Sequence, residues 1–262
     1  MPAISTSRIL PEKIYPFQVF FYEKFDFTHK ARRIRSITPF PMPFEVLEKR
    51  LQKRREIDVH RVKKAYFLAE KIHKGQKRKS GIPYIHHPIA VAISVCDAGL
   101  EEDSICAALL HDTLEDGANP EEIENIIMKE FGKNVYFLVQ ALSKDPRAGT
   151  KDEQQKDYLI RFQEAASMDP DVVFIKLADL IHNLSSISAL SVESKEKWTN
   201  ELKHQYYPIF TECFVYIPSI YKDEYCEMHE TLHDFIEKYH QSGEVPAADI
   251  ERLYGERPLL AR

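Results

Sequence analysis

The chain has 262 residues, which is enough for one sizeable hydrophobic core. Hydrophobic residues make up 44% and charged residues 29%, as in ordinary globular proteins, and no apolar run reaches the roughly 18 to 20 residues of a membrane span. The net charge of −5 is mild and argues against general nucleic-acid binding. Because the N-terminus also has no sustained apolar stretch of a secretory signal, we expect a soluble cytoplasmic protein whose partner is neither nucleic acid nor a membrane.

The first fifty residues differ from the rest of the chain. Aromatic and proline clusters (YPFQVFFYEKFDF and TPFPMPF) flank the basic run HKARRIR, without a helical period. We interpret residues 1–50 as an N-terminal extension that packs on its own domain or on a sister subunit, since so many aromatic rings would otherwise be exposed. This interpretation leaves a homo-oligomer open. Docking on an acidic partner or a membrane face is the alternative.

From about residue 45 onward the pattern is helical. Apolar residues step by three and four through a first clear helix: Val59, Val62, Tyr66, Ala69 and Ile72. Gly75 is its predicted end, and the polar loop GQKRKSGIPYIHH follows. The next helix has Pro88 in its first turn, His87 as its N-cap and Gly99 as its stop.

Further helices follow in close succession. They are EEDSICAALLHDTLED as one helix closed by Gly117, NPEEIENIIMKEFG with an Asn cap, KDEQQKDYLIRFQEAASMD, DPDVVFIKLADLIHNLSSISAL and two long C-terminal helices. Strand-like alternation is nearly absent, so the predicted class is all-α. We expect a core of residues 51–200, with C-terminal helices in 201–262 packing on the same domain. The four cysteines (Cys96, Cys106, Cys213 and Cys226) form no CxxC pair and are predicted to be buried free thiols.

In the segment AALLHDTLEDG, a group of polar residues follows an apolar run. On a continuous helix His111 lies over Glu115, and Asp112 lies over Asp116. Carboxylates beside an apolar run are costly to bury unless they are paired or bind a cation. A cation site and a solvated helix end are both compatible with this segment alone.

Two other segments favour the cation site. In KLADLIHNLSSI, a polar stripe runs through an apolar helix: Asp179, His182, Asn183 and Ser186. In YIHHP, His87 stands at the start of a helix that enters the core. Three helices thus each bring an imidazole or a carboxylate to an apolar context, which is how an all-α protein builds a metal site.

These residues also carry a family resemblance. The segments RKSGIPYIHHPIAVA, AALLHDTLED and IKLADLIHNL, in this order and spacing, resemble the signature of HD-superfamily alarmone hydrolases. These are the hydrolase domains of RelA/SpoT-type stringent-response proteins. The connecting FGKNVYFLVQALSK is also similar, and the likeness extends over residues 58–192. It implies a compact multi-helix HD-domain bundle.

The resemblance also implies roles for particular residues. The ligands of one metal ion, usually Mn²⁺ in this family, are His87, His111, Asp112 and Asp179. Mixed imidazole and carboxylate ligands suit such an ion. Glu115 and Asp116 match the acidic pair that orients or activates the attacking water.

Other positions match the nucleotide side of the family's site. The loop residues Arg78, Lys79 and Ser80 match residues near the base and phosphates, and Asn183 matches a nucleotide contact. Ser186 stands where the family commonly has threonine, Ser185 replaces an arginine, and Leu180 also stands where the long family members usually carry arginine. The base is therefore open: guanosine is the default, and an adenosine alarmone is the alternative.

Several neighbouring residues have ordinary structural interpretations. We expect His86 to lie off the metal and His182 to support the orientation of a ligand. Tyr84 either stacks on a base or simply packs. His229 and His233 are four residues apart but lack an HExxH pattern, so we expect them on a solvated helix face.

The implied activity is metal-dependent hydrolysis of the 3′-pyrophosphate of (p)ppGpp, giving GDP or GTP and pyrophosphate and lowering the alarmone level in the stringent response. Only about 70 residues follow the last motif, so we expect a stand-alone small hydrolase without a synthetase domain. The alternatives are an HD-type phosphohydrolase acting on (pp)pApp or NADPH, and a nucleotide sensor without turnover. The presence of all four ligands and both acids favours an enzyme.

Overall fold

A computed structural model of the chain describes residues 42–145, 149–184 and 186–242. In these ranges the regular structure is helical, apart from one isolated bridge between Lys77 and Pro83, so the all-α prediction is confirmed. The α-helices are α1 (Phe44–Leu51), α2 (Val59–Ile72), α3 (His86–Asp97), α4 (Glu102–Leu110), α5 (Thr113–Asp116), α6 (Pro120–Leu142), α7 (Lys151–Met168), α8 (Asp171–Leu184), α9 (Val192–Glu201), α10 (Tyr207–Cys213) and α11 (Lys222–Ser242). Residues 1–41, most of the predicted extension, lie outside the described ranges.

Three helices form the centre of the bundle because they are apolar on nearly all sides. In α3 the residues from His87 to Ile93 are buried without interruption, and α4 is buried from Ser104 to Leu110. Helix α8 is similarly buried, and both α4 and α8 pack against α3. A helix that is hydrophobic all round belongs in a core, so polar side chains on these three helices are brought into it.

The helix α1 packs on this core even though it begins inside the predicted extension. Its apolar face, Phe44, Leu47 and Leu51, is buried, and α1 contacts α3. Arg50 Nε donates to Asp97 Oδ1 at 2.8 Å, which ties α1 to the end of α3.

The predicted start of α6 agrees with the structure, and the starts of α2 and α6 both have local causes. The Asp58 carboxylate caps α2 by accepting from the backbone N–H of His60 at 2.9 Å. Asn119 caps α6 through the backbone N–H of Glu122.

The predicted single helix EEDSICAALLHDTLED is wrong, because it breaks between Leu110 and Thr113. His111 Nδ1 donates to the carbonyl of Ala108 at 2.8 Å, and Thr113 Oγ1 donates to the carbonyl of Leu110 at 2.6 Å. Side chains that bond to nearby backbone compete with helical hydrogen bonds. His111 therefore does not stack over Glu115 along one continuous helix. The N-cap assignment of His87 is also wrong, since α3 begins at His86.

The predicted helix NPEEIENIIMKEFG ends at Gly132, where α6 has a sharp kink that joins it to a second helical stretch. The φ of 85° and ψ of 178° at Gly132 lie in a region that only glycine enters readily. The chain can therefore turn there and continue to Leu142.

The predicted C-terminal helices are present. A π-helical segment, Leu202–Tyr206, joins α9 to α10, and α11 packs against α8. All four cysteines are free and buried, as predicted. Among the described helices, none is both long and apolar enough to cross a membrane.

Candidate metal centre

The four predicted ligands converge at one place in the bundle. His87 comes from the first turn of α3, His111 and Asp112 from the break between α4 and α5, and Asp179 from α8. Nε2 of His87 lies 3.1 Å from Oδ1 of Asp179 and 3.6 Å from Oδ2 of Asp112. Nε2 of His111 lies 3.1 Å from the same Asp112 oxygen and 3.9 Å from the same Asp179 oxygen. Ligand atoms of His87, His111 and Asp179 all lie within 4.8 Å of one another and could hold a metal ion. Asp112 Oδ2 borders this group through its short distances to both histidine nitrogens.

The chemistry of this set fits a bound cation. Because His111 Nδ1 donates to the carbonyl of Ala108, Nε2 is the ring nitrogen that faces the two carboxylates. This Nε2 is buried and has no hydrogen-bond partner among the described residues. Burial lowers the pKa of His111 and the Asp112 carboxylate raises it more, to about 9, which reflects an excess of negative charge. A divalent cation would satisfy all four groups at once.

Each carboxylate is held by further hydrogen bonds. Tyr84 Oη donates to Asp112 Oδ2 at 2.7 Å. Asn183 Nδ2 donates to Asp179 Oδ1 at 2.8 Å, and Lys176 Nζ donates to Asp179 Oδ2 at 2.7 Å. Burial alone would raise the pKa of Asp179, but Lys176 and the two histidines hold it well below its ordinary value. Asp179 is therefore ionised and fixed in orientation.

The imidazole of His182 supports His87, as the sequence predicts. Their Nδ1 atoms are 2.7 Å apart. Burial, with a smaller effect of His87, lowers the pKa of His182 well below its ordinary value, so His182 is neutral and can accept the Nδ1–H of His87. That hydrogen bond leaves Nε2 of His87 for a metal, the usual arrangement around metal-binding histidines. His86 is directed away from the site, with Nδ1 at 2.9 Å from the carbonyl oxygen of Met42.

The acidic pair, Glu115 and Asp116, lies beside this cluster, and the Glu115 carboxylate is held by a backbone hydrogen bond. The backbone N–H of Lys144 donates to Glu115 Oε1 at 2.6 Å. Asp116 Oδ2 lies 3.5 Å from Nδ1 of the buried His73. Both side chains reach solvent, yet desolvation raises the pKa of each carboxyl group and the charge of Asp112 adds to the rise. A carboxylate with a raised pKa is a better proton acceptor.

The predicted nucleotide residues divide into two groups. Arg78 Nη2 donates to Asn183 Oδ1 at 2.6 Å and to Ser186 Oγ at 3.0 Å, so these three residues are brought together. Lys79 and Ser80 instead have exposed side chains at the tip of the turn.

The helical stripe predicted through Ser186 is wrong, because α8 ends at Leu184. Ser186 is kept near Asn183 by a turn in which its Oγ donates to the Asn183 carbonyl at 3.2 Å.

One sequence expectation fails outside the site. His229 does not lie on a solvated face: it is 3% exposed and its ring stacks on that of Tyr207, with centroids 4.6 Å apart. The two aromatic residues pair across α10 and α11, which periodicity within α11 alone does not reveal.

Sequence reasoning also missed two supporting residues, Lys176 and His73. The signal for Lys176 was available, since a lysine three residues before Asp179 in an apolar helix shares its face. No comparable local signal identifies His73, because Asp116 is distant in sequence.

The fold and the site define the class of protein. The family model described as "HD domain" matches residues 65–211, and the chain belongs to this family. The relatives confirm the resemblance to alarmone-hydrolase domains.

Three relatives illustrate that similarity. The "GTP pyrophosphokinase" of Streptomyces coelicolor is 36% identical over 151 residues, covering 58% of this chain and 18% of the relative. The "guanosine-3′,5′-bis(diphosphate) 3′-pyrophosphohydrolase" of Aquifex aeolicus is 36% identical over 149 residues, covering 56% and 21%. The "bifunctional (p)ppGpp synthase/hydrolase SpoT" of Escherichia coli is 35% identical over 157 residues, covering 59% and 22%. The chain thus spans about a fifth of the length of these relatives.

Proposed function

We propose that this chain hydrolyses (p)ppGpp at its 3′ position in the cytoplasm and so lowers the alarmone level of the stringent response. Water attacks the phosphorus bonded to the ribose 3′-oxygen, that P–O bond breaks, and the 3′-oxygen takes up a proton. The products are pyrophosphate and GDP from ppGpp, or GTP from pppGpp. The observation that carries the proposal is the convergence of His87, His111, Asp112 and Asp179 in a chain whose relatives include named 3′-pyrophosphohydrolases.

In this proposal the four converging residues hold Mn²⁺. Two imidazole nitrogens and two carboxylate oxygens suit a divalent ion of intermediate hardness better than a thiophilic one. When bound, Mn²⁺ lowers the pKa of water and polarises a phosphoryl oxygen. The Ala108 carbonyl and His182 each hold the Nδ1 atom of one histidine, His111 and His87 respectively, and so turn both Nε2 atoms towards the site, which is the contribution of the surrounding chain.

Glu115 is the proposed base that takes a proton from the attacking water. The Lys144 amide holds one carboxylate oxygen in place, and the raised pKa of Glu115 brings it nearer to that of a useful base. Asp116, beside His73, orients the water. The two acids thus have separate surroundings and separate proposed tasks.

Arg78 is the proposed contact to the anionic nucleotide. Its guanidinium is held by Asn183 and Ser186 and lies 5.7 Å from the ring centroid of Tyr84, so it is already ordered at the edge of the metal centre. A guanidinium held in this way binds phosphate by charge-assisted hydrogen bonds. Lys79 and Ser80 extend the same surface into solvent.

A substrate panel tests the proposal. Purified chain loaded with Mn²⁺ is incubated with ppGpp, pppGpp, ppApp and NADPH, and the products are resolved by chromatography. We expect pyrophosphate together with GDP or GTP from the guanosine alarmones, and none of it from the Asp112→Ala variant. Release of products from ppApp or NADPH alone would contradict the substrate assignment but leave the metal chemistry standing.

A further inference from the structure

Lys176 carries a largely buried ammonium group that the reaction itself does not use. Its side chain is 14% exposed, and its Nζ lies 2.7 Å from Oδ2 of Asp179, one helical turn further along α8. An ammonium group taken out of water is costly unless it is paired. Asp179 supplies the opposite charge, and aromatic rings contact the ammonium group on its other sides.

Two tyrosine rings, named here the aromatic cage, enclose this ammonium group. Nζ of Lys176 lies 5.7 Å from the ring centroid of Tyr158 on α7 and 5.4 Å from that of Tyr206. Both tyrosines are buried, and their rings meet edge to face with centroids 6.4 Å apart. Ring faces attract a cation, more strongly when water is excluded. The cage therefore holds Nζ on the side of Asp179.

Tyr206 reaches the cage through an irregular backbone. It is the last residue of the π-helical segment Leu202–Tyr206, which interrupts the helical run between α9 and α10. Its hydroxyl accepts a hydrogen bond from Gln155 of α7 at 3.4 Å. A π-helical segment is rare and frequently occurs at functional sites. Here it directs a ring from outside the three motif segments towards Lys176, which in turn contacts Asp179.

Because of the contact with Lys176, the two carboxylate oxygens of Asp179 have different partners. Oδ2 accepts from Lys176, whereas Oδ1 lies 3.1 Å from Nε2 of His87. With Oδ2 held, the carboxylate cannot rotate without breaking a charge-assisted hydrogen bond. Oδ1 is therefore already turned towards the two histidines before a metal binds.

We propose that Lys176, held by the aromatic cage of Tyr158 and Tyr206, is a positioning residue that presents Asp179 to the metal. The inference rests on the metal binding in the proposed function and is independent of which nucleotide is hydrolysed. It makes α7 and the π-helical segment part of the metal centre, although neither contributes a ligand. The outer contacts of metal ligands commonly contribute 10- to 100-fold to metal affinity.

Direct titration of metal-free protein with MnCl₂ tests this role without any substrate. Free Mn²⁺ is measured by electron paramagnetic resonance for wild type and Lys176→Met. We expect the Kd of the variant to rise by about 10- to 100-fold. Lys176→Arg, which keeps the charge, should recover part of that loss. A Kd for Lys176→Met equal to that of wild type would overturn the proposal.

The chain offers a matched control for the loss of a cation. Lys144 Nζ also lies close to the Tyr158 ring, 5.8 Å from its centroid, while its backbone rather than its side chain contacts Glu115. Lys144→Met should leave the Kd for Mn²⁺ within about twofold, because a cation–ring contact alone is weak. An equal rise in Kd for Lys144→Met and Lys176→Met would point to a general charge effect and contradict positioning.

A second pair of variants addresses the cage and remains informative if Lys176→Met does not fold. Tyr206→Leu removes the ring, whereas Tyr206→Phe keeps it and removes only the hydroxyl. We expect the Kd for Mn²⁺ to rise about three- to tenfold for Leu and to stay unchanged for Phe. The melting temperature of the metal-free protein is measured in parallel. A lower Tm with an unchanged Kd in Tyr206→Leu would mean a purely structural role and would overturn the proposal.

Discussion

The two halves of the candidate site are built in different ways. On the metal side, His87, His111 and Asp179 are 1%, 3% and 5% exposed and come from the central helices or the turn that follows one of them. On the nucleotide side, the turn that carries Arg78 lies at the surface, and Lys79 is exposed. A buried set of charges must be satisfied completely, whereas an exposed turn can vary. The metal chemistry is therefore more tightly constrained than the choice of nucleotide.

The departures from the family pattern follow the same division. Leu180 is 3% exposed and belongs to the apolar core. Ser186, in contrast, contacts Arg78 directly at 3.0 Å. Of these two differences, only Ser186 lies where a nucleotide contact is proposed, so it is the better position at which to study base preference.

Loss of a proposed metal ligand should have the largest effect and would show the importance of the metal side. Asp112→Ala removes the carboxylate that faces both histidines, so we expect bound Mn²⁺ and hydrolysis to disappear together. Elemental analysis and turnover with ppGpp measure the two losses. Circular dichroism should still show a helical fold. Full metal occupancy in this variant would remove Asp112 from the ligand set.

The next largest effect is expected at the acidic pair beside the metal side. Glu115→Gln keeps the size of the side chain but is a poor proton acceptor, so kcat should fall about 10²- to 10⁴-fold. Bound Mn²⁺ should stay at the wild-type level, which separates this variant from Asp112→Ala. If both Glu115→Gln and Asp116→Asn keep a wild-type kcat, neither carboxylate is the base.

A smaller effect is expected for the ordered arginine on the nucleotide side. Arg78→Ala should raise the KM for ppGpp about 10- to 100-fold, because one charge-assisted contact to the substrate is lost. The kcat and the bound metal should change little. A fall in kcat with an unchanged KM would place Arg78 at the reacting phosphoryl group instead.

The smallest effect is expected for the exposed lysine next to it. Lys79→Ala should raise KM by no more than about fivefold, since contacts of solvent-exposed charges contribute little. Steady-state kinetics of Lys79→Ala and Arg78→Ala, measured side by side, compare the rise in KM of the two variants. Equal increases in KM would show that burial does not distinguish the two residues and that the whole turn binds the nucleotide.

Much of the fold could be predicted because its causes are local. The caps at Asp58 and Asn119 involve residues two or three positions apart, and the apolar period of α2 is visible in a short window. The break after Leu110 was missed, although its causes are also local. Hydrogen bonds from His111 and Thr113 to the backbone compete with a helix that propensity alone continues.

The candidate ligands were predicted from three motifs, but most of the residues that support them were not. His182 was inferred because it is close to Asp179 in the same helix. The anchor of Glu115 is a backbone amide 29 residues away, and no side-chain pattern reports it. The contact between Lys176 and the Tyr206 ring was not predictable either. It depends on the π-helical segment Leu202–Tyr206, which changes the direction of the Tyr206 side chain relative to a regular α-helix.

The sequence by itself determined the helical class and which residue types could bind a cation, since both depend on side-chain chemistry and short-range periodicity. Only the tertiary structure decided which atoms face the metal, which tyrosines enclose Lys176, and that Arg78 but not Lys79 is ordered at the site. These outcomes depend on contacts between residues as much as 108 positions apart, as for Arg78 and Ser186. Burial makes such contacts specific, because a buried polar atom is costly without a partner, and packing decides which partner is within reach.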